Sequence, residues 1–186
     1  MQTVLHINVK DLDEAFIQDL KKQFGAADIE IHIGQTPQDW LTEERFWALI
    51  DLLDWSKEGD DDAITEPVVR ALSEMLIPNI HQFEEILAEK LWQLDTRRHA
   101  DASMREDPDG HFSVDYFLYD RCCVVANGKA FYEEVLNDPN KMPSGISFEP
   151  LLYIADRAFS RKTGKKLVHI PSRSYETYSN EAGWNS

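Results

Sequence analysis

Cysteine is nearly absent from this chain of 186 residues: there are 2, the neighbours Cys122 and Cys123. That scarcity excludes a disulfide framework. On a helix the two would point about 100° apart, a poor geometry for a bond between them. Long apolar stretches are also missing, and no run approaches the ~20 residues that a membrane-spanning helix needs. The opening Met1-Gln2-Thr3-Val4-Leu5-His6 has neither a basic start nor a continuous apolar stretch, so no secretory signal is expected. A reduced cytoplasm is the expected location. Cations are few as well, with 19 Lys and Arg against 34 Asp and Glu, a formal net charge of −15. Phosphate neutralisation requires clustered cations, so direct nucleic-acid binding is not expected.

What the chain does have is apolar and aromatic side chain, 42% and 11% of its residues, too much for a disordered polyanion. The charge is uneven. Residues 37–100 carry most of the acidic excess, while residues 143–186 are slightly basic. The stretch from Arg157 to Arg173 can pair with acids elsewhere in the molecule.

Periodicity divides the chain in two. Leu5, Ile7 and Val9 alternate with polar residues; Leu12, Ala15, Phe16, Leu20 and Phe24 fall at helical spacing; Ile29, Ile31 and Ile33 alternate again. This predicts a β-α-β module over residues 1–34, its helix capped by Asp11 or Asp13 and closed by Gly25. Its exposed strand edges call for pairing, with a second copy, another chain or the rest of this protein. Gly34 to Asp39 has linker composition. Residues 40–186 then turn helical. Thr42 is placed to cap a helix with Phe46, Leu49, Ile50 and Leu53 on one face; Asp60-Asp61-Asp62 begins a second, and Pro78 opens a third carrying Ile80, Phe83, Leu87, Leu91 and Leu94. Residues 100–110 are expected as loop, 112–126 as an aromatic-rich helix in preference to a strand, 131–136 as a short helix and 148–162 as a helix ended by Gly164. The last twenty residues are expected as ordered coil anchored by Tyr175, Tyr178 and Trp184. The fold class predicted is α+β, a mainly α-helical C-terminal domain with a small β-α-β module.

From residue 40 onward the chain resembles an uncharacterised family of acidic bacterial domains of unknown function. The residues that carry this are Phe46-Trp47-Ala48-Leu49-Ile50-Asp51, Phe83-Glu84, Asp115-Tyr116-Phe117 with Arg121, Gly128-x-x-Phe131-Tyr132, and Leu136-x-Asp138-Pro139. Further matches are Phe148-Glu149-x-Leu151-Leu152-Tyr153-Ile154-Ala155, Lys162-Thr163-Gly164 and Gly183-Trp184. The resemblance implies a largely helical fold and transfers no activity. Residues 1–33, through Val4-Leu5-His6-Ile7, Leu12-Asp13-Glu14 and Ile29-Glu30-Ile31, resemble β-α-β segments of small antitoxins.

No Cys-x-x-Cys, His-Glu-x-x-His or phosphate-loop spacing occurs, so neither metal nor cofactor is expected. Asp95 and His99, four apart, suit an ion pair at a helix end better than a metal site. The acidic neighbours of Cys122 and Cys123 disfavour a thiolate. Acids beside tryptophan are the best candidate surface. Trp47, Asp51, Asp54 and Glu58 follow helical spacing on one element, and Glu85, Glu89 and Trp92 on another. Tryptophan anchors interfaces and surrounding carboxylates select cations. The expected function is thus an acidic interaction factor, antitoxin- or immunity-like, binding a basic protein through Trp47, Asp51, Asp54, Glu85, Glu89 and Trp92. A small hydrolase or transferase using His111, Asp115, Tyr116 and Arg121 is one alternative. A structural homodimer paired through the N-terminal strands is the other.

Overall fold

A computed structural model of the chain describes residues 12–25, 40–105 and 112–185. The chain divides into two compact units, Met1–Pro37 and Gln38–Ser186.

In the first unit, helix α1 (Glu14–Phe24) begins where Asp13 accepts the Phe16 N–H at 2.8 Å. It ends at Gly25, whose φ of 56° a glycine adopts without a Cβ clash. The strands expected on either side of α1 fall outside the described residues.

The second unit is a helical bundle. Helix α2 (Glu43–Ile50) is capped by Thr42, α3 (Asp61–Glu74) by Asp60, and α4 (Ile77–Gln93) starts with Pro78 in its first turn. Thr96 caps α5 (Arg97–Ser103), and Ser113 caps α6 (Val114–Ala126). Helix α7 (Lys129–Asn137) follows Gly128. Helix α8 (Ile154–Thr163) closes on the left-handed Gly164, and α9 (Glu181–Trp184) lies in the tail. Side chains from α2, α3, α4, α6 and α8 share one core, with Phe46, Val68, Val69, Phe83, Leu87, Val124, Leu151 and Ile154 fully buried. Burying such residues contributes roughly 1.5–3 kcal/mol each, and this drives the helices together.

Three expectations are corrected. The α+β class gives way to a mainly α-helical one, because the described residues contain no strand. Alternation over five residues records which side chains are apolar; it does not supply a neighbouring strand to pair with. The loop expected over 100–110 is helical up to Ser103, since Thr96 caps α5 and the bundle buries His99, Ala100 and Ala102. The expected helix 148–162 begins as a 3-10 turn, Glu149–Tyr153, with Pro150 in its first turn.

Two polar anchors tie the tail to the bundle. Asp95, fully buried at the end of α4, accepts from Tyr178 N–H (3.2 Å), Asn180 N–H (3.0 Å), the Ser179 hydroxyl (3.3 Å) and the Trp184 indole (2.8 Å). Arg121, also fully buried, donates to Leu91 O at 2.9 Å and to the Thr177 hydroxyl at 3.0 Å. These bonds offset the desolvation of two buried charges, which also attract one another.

Candidate functional site

The acidic stripe expected on α2 does not exist as one helical face, because α2 stops at Ile50. Asp51 is its C-cap. Asp54 instead caps the short 3-10 turn Trp55–Lys57, accepting the Ser56 N–H at 3.2 Å and its hydroxyl at 2.5 Å. Trp47 is only 3% exposed, packs against Phe46 and Tyr132, and gives its indole N–H to Glu43 at 3.2 Å. Glu43 also pairs with the buried Lys90 at 2.9 Å. Hydrogen bonding from Lys90 holds the Glu43 carboxyl below its ordinary range.

On α4 the acids are met by the chain's own tail. Glu85 accepts from Ser172 N–H (2.9 Å) and the Ser172 hydroxyl (2.6 Å), and lies 2.7 Å from His169 Nε2. Glu89 is ion-paired with Arg173, whose guanidinium also sits 4.2 Å over the Trp92 ring. The six residues Trp47, Asp51, Asp54, Glu85, Glu89 and Trp92 are thus not gathered on one free face.

Nor do the residues of the hydrolase alternative converge. Asp115 is exposed, Tyr116 is 68% exposed, and Arg121 points inward to Leu91 and Thr177. His111 lies outside the described residues. Burial pushes the Cys122 thiol up strongly and that of Cys123 up to about 11, so neither is a ready nucleophile. Asp95 and His99 do not pair. His99 Nε2 lies 3.1 Å from Val135 O, a pure acceptor, so Nε2 carries the proton and Nδ1 accepts from the Thr96 hydroxyl at 2.7 Å. Desolvation lowers the His99 pKa accordingly. Among the described residues no group of three or more His, Cys, Asp or Glu side chains is arranged to hold a metal ion, and no helix is long and apolar enough to cross a membrane.

A different region stands open. A cleft of about 850 Å³ lies between the start of α3 and the turn leading into α8, lined by Asp60, Asp61, Asp62, Phe148, Glu149, Tyr153, Asp156 and Arg157. Some of its acids have internal partners: Asp62 meets Arg157 at 3.0 Å, and Asp156 accepts the Leu167 N–H at 2.8 Å. The Asp61 carboxylate is exposed and has no hydrogen-bond or ion-pair partner among the described residues. Aromatic rings continue the surface. Trp55, 44% exposed, packs against Phe148 with ring centroids 5.0 Å apart and planes tilted by 56°. The Phe148 N–H donates to Tyr119 O at 3.1 Å, and the Tyr119 ring meets that of Tyr116 edge-on at 6.5 Å. The half-exposed Tyr153 gives its hydroxyl proton to Glu149, a bond that raises the phenol pKa to about 12. Sequence reasoning missed this region because it extended the α2 stripe to Glu58. The Asp54-Trp55-Ser56 turn and Gly59 were the available signal that the helix had ended.

These features define a mainly helical, acidic protein with an open cleft flanked by aromatics and carboxylates. Residues 41–161 match the family described as protein of unknown function (DUF4240), and the chain belongs to that family. The match starts beyond residues 1–33 and lends no support to their antitoxin-like resemblance. No curated protein and no solved structure is matched by the chain.

Proposed function

We propose that this protein is an acidic interaction protein whose partner is a basic protein, and that the contact face runs from Trp55 and Phe148 through the cleft to Tyr153. The observation that carries this reading is the pairing, in one open cleft, of exposed aromatic surface with a carboxylate that has no cation partner among the described residues, Asp61. An arginine or lysine side chain gains on both counts there, over a ring face and against a carboxylate. The net charge of −15 adds long-range attraction that speeds encounter at low salt. The catalytic alternative is disfavoured by the separation of Arg121 from Asp115 and Tyr116. The homodimer alternative was drawn on residues outside those described.

Calorimetric titration of the full chain with a synthetic arginine- and lysine-rich peptide tests the reading. Saturable binding is expected, weakened about tenfold or more by Trp55→Ala or by Asp61→Lys with Glu149→Lys, and weakened by salt. Binding that is unchanged by these substitutions, or no saturable binding, contradicts it.

A further inference from the structure

Residues 165–171 form a strap across the bundle with no helix or strand of their own. Polar hooks fix its course. The Leu167 N–H donates to Asp156 at 2.8 Å, His169 Nε2 meets Glu85 at 2.7 Å, and Ser172 closes the run on the same Glu85. The His169 ring also stacks on His81, centroids 4.7 Å apart and planes 7° from parallel. With Leu167 and His169 turned inward, Val168 and Ile170 are turned out and are 92% and 90% exposed. That alternation has the period of a β-strand.

Two β-branched side chains almost wholly in water, two residues apart on a segment held at both ends, are unusual for a finished surface. The main-chain groups of Val168, His169 and Ile170 have no hydrogen-bond partner among the described residues. The cations around the strap divide in the same way. Arg157, Arg161 and Arg173 are ion-paired, and Lys162 donates to Ser73 O. Lys165 and Lys166, at the start of the strap, are exposed and have no side-chain partner among the described residues.

We infer that the strap is a docking edge for an extended, acidic and apolar segment of a partner protein. The segment adds as a strand beside Val168–Ile170, its main chain taking the unused donors and acceptors. Its alternate apolar side chains cover Val168 and Ile170, and its carboxylates meet Lys165 and Lys166. Because the strap is already fixed by Asp156 and Glu85, little ordering cost falls on this side of the contact. A second copy is the poorer occupant: identical straps set lysines near each other and bring no carboxylate to Lys165 and Lys166. This edge selects carboxylates whereas the cleft selects cations, so the inference stands or falls separately from the proposed function.

The test uses the full chain and two fluorescent octapeptides, one alternating glutamate with valine and isoleucine, the other with lysine in place of glutamate. The acidic peptide is expected to bind saturably and to slow amide exchange at Val168–Ile170. Ile170→Asp, Val168→Asp, or Lys165→Glu with Lys166→Glu each weakens it about tenfold or more. Thermal melts stay unchanged, since these side chains lie in water. Equal slowing of amide exchange at Val168–Ile170 by both peptides, no saturable binding of the acidic one, or binding indifferent to both aspartate variants overturns the inference. A dimer in light scattering that Ile170→Asp dissolves assigns the edge to a second copy and overturns it as well.

Discussion

The face of α4 and the rim of the cleft share one sequence signature, carboxylates beside an aromatic ring, and reach opposite ends. On α4, Glu85 and Glu89 are met by His169, Ser172 and Arg173, and the Trp92 ring is covered by the Arg173 guanidinium. At the cleft, Arg157 reaches Asp62 but no described cation reaches Asp61, and Trp55 and Tyr153 keep much of their area in water. Net charge therefore overstates the acidic surface on offer. A carboxylate is available to a partner only where no distant segment of the same chain has brought a cation to it, and on α4 that segment lies more than eighty residues downstream.

Removing the tail's acceptor breaks the covered side of this comparison most severely. Asp95→Ala leaves two main-chain N–H groups and an indole without their acceptor, and should cost about 3 kcal/mol in urea unfolding. The Trp184 fluorescence should change with it.

Charge burial on α4 gives the next effect, with a pH signature. Burial, reinforced by Glu85, raises the Glu84 pKa from 4.5 to about 7. The folded state thus binds the proton more tightly than the unfolded state. Stability from this group is full below pH 4.5, declines between pH 4.5 and about 7, and is lost above. Glu84→Gln should raise stability by on the order of 2 kcal/mol at pH 8 and by almost nothing at pH 4. A gain that is the same at both values, read from unfolding midpoints, contradicts the assignment.

Glu85→Ala should cost about 1–2 kcal/mol, since it releases the His169 ring and both donors of Ser172, and should speed amide exchange at Ser172. Asp61→Ala at the cleft should alter stability by less than about 0.5 kcal/mol. Comparable costs at the two positions would erase the distinction between a face that the chain satisfies and one that it leaves open.

Local chemistry made much of the bundle legible. Thr42 and Asp60 announce helices because a cap acts within three residues, Pro78 because it tolerates a first turn, and Gly164 because its φ of 71° suits a residue without a Cβ. Helix α6 was harder to tell from a strand. From Asp120 to Ala126 it is buried on every side, so no polar face marks its period. The site was less legible still. Trp47 and Trp55 look alike in sequence, and only packing shows that one ring is inside the core and the other on Phe148 at the surface. The cover over Glu85 and Glu89 depends on a contact between α4 and the tail that no spacing rule reports.

The account is tested most directly by mapping amide and indole chemical shifts of the full chain during titration with the arginine- and lysine-rich peptide. It predicts saturable shifts at the Trp55 indole and at residues 60–62, 148–149 and 153, with Trp47, Trp92, Glu85 and Glu89 unmoved. Shifts centred on α4 and Trp92, with the Trp55 signal unchanged, would contradict it.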